Sequence, residues 1–82
     1  MSMHLTSEES LSLNEYHRNI GLNIHKARAK RKITIEKLSQ ISGLRTQTIE
    51  RYEMGTHNIS FVVLMKLASI LKVGIDEFLV WN

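Results

Sequence analysis

The stretch "RTQTIERYE", residues 45–53, gathers side chains able to recognise hydrogen-bond patterns. Arg45 and Arg51 each carry a planar fork of donors, which fits guanine O6 and N7. Gln47 carries a donor beside an acceptor, the pattern that adenine N6 and N7 complement. The methyls of Thr46 and Thr48 can meet thymine, while their hydroxyls reach phosphate. Glu50 can accept from cytosine N4 or simply repel off-target phosphates. Each good bidentate contact discriminates between bases by about 1–3 kcal/mol. At about 100° per residue, Ile49 and Tyr52 define one inward face, and Gln47 and Arg51 lie one turn apart on the other side. So small an apolar stripe belongs either to a helix that reads a target or to a solvated surface helix.

Other chemistry is sparse. With no cysteine there is no disulfide framework, thiolate zinc site or cysteine nucleophile. The four histidines, His4, His17, His25 and His57, show no metal-ligand spacing. No paired carboxylates, nucleophile–base arrangement or glycine-rich phosphate loop is present. The pattern therefore predicts no enzyme, no metal and no cofactor.

Charge is unevenly placed along the 82 residues. Residues 1–17 hold Glu8, Glu9 and Glu15 and no Lys or Arg, whereas Arg18 to Lys32 contains six basic residues and no acid. The overall charge is +3, so setting the acidic leader aside leaves +6 on the remainder. That balance favours a polyanionic partner over a neutral one. The polar, acidic N-terminus is not a secretion signal. Lys66 and Lys72 interrupt the most apolar run, so no membrane span is expected. A cytoplasmic location follows from these readings.

The scaffold reads as all-α, with five helices in one small domain over residues 14–82 and a partly flexible leader over 1–13. Proline is absent and glycine is rare. Thr6-x-x-Glu9 and Ser12-x-x-Glu15 are both capping-box patterns, and Ser12 is the favoured start of helix 1. That helix runs to about Arg31, with Tyr16, Ile20, Ile24, Ala27 and Arg28 at helical spacing. Thr34 caps helix 2, whose stripe is Ile35, Leu38, Ser39 and Ser42, with Ile41 flanking. Gly43 turns the chain into helix 3, over roughly 45–53, which ends before Gly55. Helix 4 follows Ser60 and buries Phe61, Leu64, Leu67, Ala68 and Leu71. Gly74 breaks it, and a fifth helix spans Ile75 to about Trp81.

From Ile20 to Leu79 this pattern resembles the small helix-turn-helix domains of phage repressors, Cro proteins and their bacterial relatives. The residues that carry the resemblance include Ile20-Gly21, Arg28, Thr34, Leu38, Ser42-Gly43, Ile49, Glu53, Gly55, Ser60, Leu64, Leu67-Ala68 and Ile75 to Leu79. It implies that helices 2 and 3 form the motif and that helix 3 enters the major groove of double-stranded DNA. Arg45, Thr46, Gln47, Glu50 and Arg51 are then the base-reading residues. Phosphate contacts are expected from the amides of Thr34 and Ile35 at a helix start, from Thr48, and from the Thr56-His57-Asn58 loop. Arg28 and Glu53 match positions that pair in relatives of this fold.

Three positions depart from the family pattern. Lys32 stands where relatives often have glycine, predicting either strain at the end of helix 1 or an end shifted by one residue. Ile35 replaces a phosphate-touching glutamine. Arg45 replaces a hydroxyl cap worth about 1 kcal/mol.

One such domain touches little DNA, so a homodimer on a two-fold symmetric operator is expected. In "FLVW", residues 78–81, one helix face cannot bury all four apolar side chains. The surplus places Phe78, Val80 and Trp81 at a dimer seam, unless Trp81 folds back on helix 1. A repressor or autoregulator is the leading reading, and "HNIS" before helix 4 also resembles restriction–modification controllers. An antitoxin is the first alternative, although the expected toxin-binding tail is missing before Asn82. The second is a protein-interaction module on the same fold. Contact with RNA polymerase is conceivable, but no residue pattern indicates it.

Overall fold

Side-chain caps and left-handed turns divide the described residues into four α-helices and one 3-10 turn. The computed structural model describes residues 7–82, with side chains from residue 13. The helices are α1 (Ser7–Lys30), α2 (Ile35–Ser42), α3 (Thr46–Met54) and α4 (Phe61–Leu71), followed by a 3-10 turn at Ile75–Phe78. No strand occurs among the described residues. The 24 residues of α1 span about 36 Å, close to the 40 Å long axis of the molecule.

The observed boundaries correct three expectations. First, α1 starts at Ser7 and not at Ser12. No proline or glycine before Gly21 interrupts that run. The other capping-box pattern coincides with the observed start, although Thr6 lies outside the described residues. Second, α4 stops at Leu71 with Lys72 left-handed at φ 56, so Gly74 is not its terminator. Third, the fifth helix is only the 3-10 turn. Side-chain amides of α1 instead hold the segment that follows it. Asn23 Nδ2 donates to Phe78 O at 2.9 Å and Val80 O at 2.7 Å, and Asn19 Nδ2 donates to Val80 O at 2.7 Å. Asn82 closes the ladder, its backbone N–H and side-chain amide both donating to Asn19 Oδ1.

Ile24 and Ala27 of α1, Leu38 of α2 and Ile49 of α3 meet Leu64, Leu67, Ala68 and Leu71 of α4 in one core, which Phe78 completes. Two residues expected inside are outside. Phe61 is 64% exposed and Tyr16 is 56% exposed. Phe61 is the first residue of α4, so its side chain leans past the helix start and away from the core. Tyr16 lies beyond the core along α1, where Trp81 meets it edge-on with ring centroids 5.3 Å apart.

Where α1 crosses α3, the two backbones approach closely. A Cβ on Gly21 would stand 2.3 Å from Tyr52 O and 2.7 Å from Glu53 O, so only glycine fits there. One turn or two further on, Arg28 forks onto Glu53, with Nε donating to Oε2 at 2.6 Å and Nη2 to Oε1 at 2.9 Å. Arg28 Nη1 also donates to Ile33 O at 3.0 Å, tying down the turn into α2. His25 Nδ1 lies 3.0 Å from Glu53 Oε1 and 3.1 Å from Arg28 Nη2. One tautomer therefore donates to the carboxylate, and the other accepts from the arginine. The hydrogen bond to Glu53 raises the Arg28 pKa above its ordinary value against the opposing effect of burial. Arg28 thus stays charged at any working pH.

Removing one partner of a largely buried pair leaves the other charge uncompensated. Glu53→Ala should therefore lose about 3 kcal/mol in urea unfolding, and the Arg28→Met/Glu53→Leu double variant should recover most of that loss. At the end of α1, Lys32 adopts φ 56, the strain expected from the missing glycine. Its N–H bonds Ala29 O and the Ile33 N–H bonds Arg28 O, the paired closure that glycine usually terminates. Lys32→Gly should raise unfolding stability by roughly 0.5–1 kcal/mol, the left-handed penalty relieved less the added freedom of the unfolded chain.

Candidate nucleic-acid interface

The start of α2 is set by Thr34, whose Oγ1 accepts from Lys37 N at 3.0 Å. Its carbonyl takes Leu38 N at 2.9 Å, leaving the Ile35 and Glu36 amides without a helical partner. Those amides can serve a phosphate, whereas the Ile35 side chain packs against the core. Glu36, in the same first turn, opposes an anion there.

Between α2 and α3 the turn is fixed by more than its glycine. Gly43 is left-handed at φ 78, and its N–H bonds Ser39 O at 2.8 Å. Ser42 is buried and its Oγ accepts from Leu44 N at 3.1 Å, while Ser39 Oγ donates to Leu44 O. Both serines read in sequence as small members of an apolar stripe. Their hydroxyls instead close the turn and so set the angle at which α3 leaves it.

The first residue before α3, Arg45, is extended and makes no side-chain cap. Its guanidinium is exposed and free to project from the helix start. Within α3, Ile49 is fully buried and Tyr52 packs on the core. Gln47, Glu50 and Arg51 are exposed, and the half-buried Thr46 and Thr48 flank them. Among the described residues, Arg45, Glu50 and Arg51 form no ion pair. The five base-reading candidates therefore share one short segment and one solvent-facing surface.

Met54 extends the same stripe, one turn beyond Glu50 and Arg51, and is 66% exposed. Sequence spacing could have found it, because residues 47, 50, 51 and 54 follow the helical repeat. An exposed thioether at that place adds an apolar surface suited to a thymine methyl.

In the α3–α4 loop, Thr56, His57 and Asn58 are all exposed. Thr56 N–H bonds Arg51 O at 3.0 Å and its hydroxyl donates to the same carbonyl at 3.3 Å. The hydroxyl is thus partly committed, and His57 Nδ1 lies 3.1 Å from Thr56 O. Asn58 is the least encumbered of the three.

The residues expected at a dimer seam separate. Phe78 is fully buried in the core of its own chain, so it offers no surface to a second copy. Leu79, Val80 and Trp81 are more than half exposed, Trp81 at 57% even with its edge against Tyr16. Among the described residues no group of three or more His, Asp or Glu could hold a metal ion. Among them too, no helix is long and apolar enough to cross a membrane.

Comparison with known proteins agrees with this geometry. No curated relative matches the chain. One similar solved structure is the restriction-modification controller protein C.AhdI from Aeromonas hydrophila. It is 28% identical, covers 74% of this chain and 92% of its own, and has a TM-score of 0.71. The DNA-binding domain of BldD is similar in fold, with 22% identity, 82% of this chain and 97% of its own covered, and a TM-score of 0.74. The sequence pattern of the Cro/C1-type helix-turn-helix DNA-binding domain matches residues 23–82, and the chain belongs to that family.

Proposed function

We propose that this chain is a cytoplasmic, dimeric transcriptional regulator that reads a specific DNA sequence in the major groove with α3. The observation that carries the reading is the exposed stripe of Gln47, Glu50 and Arg51 on a helix locked from behind by Ile49 and Glu53. Arg45 and Arg51 take guanine, Gln47 takes adenine, and Thr46 takes thymine. The α2 amides, Thr48 and the loop residues His57 and Asn58 grip phosphate and set the register. Val80 and Trp81 form the seam with a second copy, giving an isologous pair on a symmetric operator. Similarity to a protein named as a restriction–modification controller favours an autoregulator of that kind.

Selection of bound duplexes from a random pool at near-physiological salt tests this reading. A two-fold symmetric site should be enriched, with half-sites about 34 Å apart or a multiple of that distance. Salt-sensitive, sequence-blind binding would defeat it.

A further inference from the structure

Three of the six basic residues between Arg18 and Lys32, namely Lys26, Lys30 and Arg31, gather away from α3. Gly21, His25 and Arg28 face α3, and Lys26 and Lys30 lie roughly half a turn around α1 from them. Those lysines border a cleft of about 600 Å³ between α1 and the α4–Ile75 connection. Arg31 and Lys72 complete its rim, and Glu77 is the one acidic lining residue. None of the four cations joins an ion pair among the described residues.

The walls are built and not merely adjacent. Arg31 Nη2 donates to Lys72 O at 3.1 Å, joining α1 to the end of α4. Lys26 Nζ donates to Asn82 Oδ1 at 2.6 Å, a neutral acceptor that leaves its charge uncompensated. Lys72 lines the cleft from a left-handed backbone, where glycine would be less strained. Below the charges, Ala27 and Val73 supply an apolar floor.

The volume falls within the roughly 300–1,000 Å³ of small-molecule sites. Clustered ammonium groups and one guanidinium suit the oxygens of several linked phosphates. The apolar floor suits a flat ring. The geometry points to a binding site for a small polyphosphate anion of nucleotide size, on the side of α1 opposite the reading helix.

The test uses the full chain, isotope-labelled and titrated with ATP, inorganic triphosphate and adenosine at near-physiological salt. Amide shifts should concentrate at residues 26–31 and 72–73, with ATP tighter than triphosphate and adenosine silent. The Lys30→Gln/Lys72→Gly double variant should bind ATP roughly tenfold more weakly, as two phosphate contacts are lost. Lys72→Gly relieves backbone strain, so an unchanged or raised melting temperature excludes unfolding as the cause. ATP shifts should persist with saturating duplex present, and the variant should still select the same duplex as the native chain. Failure of DNA reading is thereby distinguished from failure of the cleft. Shifts spread equally over Arg18, Arg45 and Arg51, displacement of ATP by duplex, or unchanged ATP affinity in the variant would overturn the site. Triphosphate binding as tightly as ATP would overturn its nucleotide-sized character.

Discussion

Where α1 crosses α3, two backbones lie so close that residue 21 can carry no side chain. That approach brings Arg28 within reach of Glu53 and lets a bidentate pair form with little access to water. The steric contact fixes the separation of the helices, and the fork fixes their rotation. Since a desolvated pair contributes little net stability against an apolar substitute, orientation is its main consequence. With Glu53 and Ile49 committed inward, helical geometry leaves Gln47, Glu50 and Arg51 no direction but outward. The exposed polar face is therefore what remains of α3 once its attachment to α1 is satisfied.

The same logic governs the far end of the molecule. Asn19 and Asn23 are buried polar residues on α1, and burial requires that their amides be satisfied. They satisfy them with the carbonyls of Phe78 and Val80 and with Asn82, which tie the C-terminal segment to α1. Phe78 lies in the core, and Val80 and Trp81 after it lie outside. One helix thus orders both α3 on one side and the apolar C-terminal segment on the other. Its remaining side carries the basic cleft.

Features resting on local chemistry were legible in sequence. Thr34 and Ser60 cap as their positions imply, and Gly43 turns the chain as a left-handed residue should. The 3.6-residue repeat located Ile24, Leu38, Ile49, Leu64, Leu67 and Leu71, all in the core. Lys32 was recognisable as strained because a resemblance supplied the missing glycine. Features resting on distant partners were not legible. An Asn in a helix carries no sign that its acceptors lie some sixty residues away, as those of Asn19 do. Lys72 looks like any helix lysine until Ala68 and Ser69 are seen to accept its N–H. The serines of α2 pass for small core residues because a hydroxyl and a methyl occupy similar space. On α3, the polar face could be drawn from spacing, but Met54 fell outside it because helix 3 was expected to end at about residue 53, whereas α3 runs to Met54.

Under the proposed function, individual α3 side chains read individual base pairs. The most direct measurement compares the duplexes selected by the native chain with those selected by Gln47→Ala and by Arg51→Ala. Each variant should lose its preference at one base pair in each half-site, by about 1–3 kcal/mol, with the other positions unchanged. An identical consensus bound uniformly more weakly would mean that Gln47 and Arg51 touch only the backbone, and α3 would not be the reader.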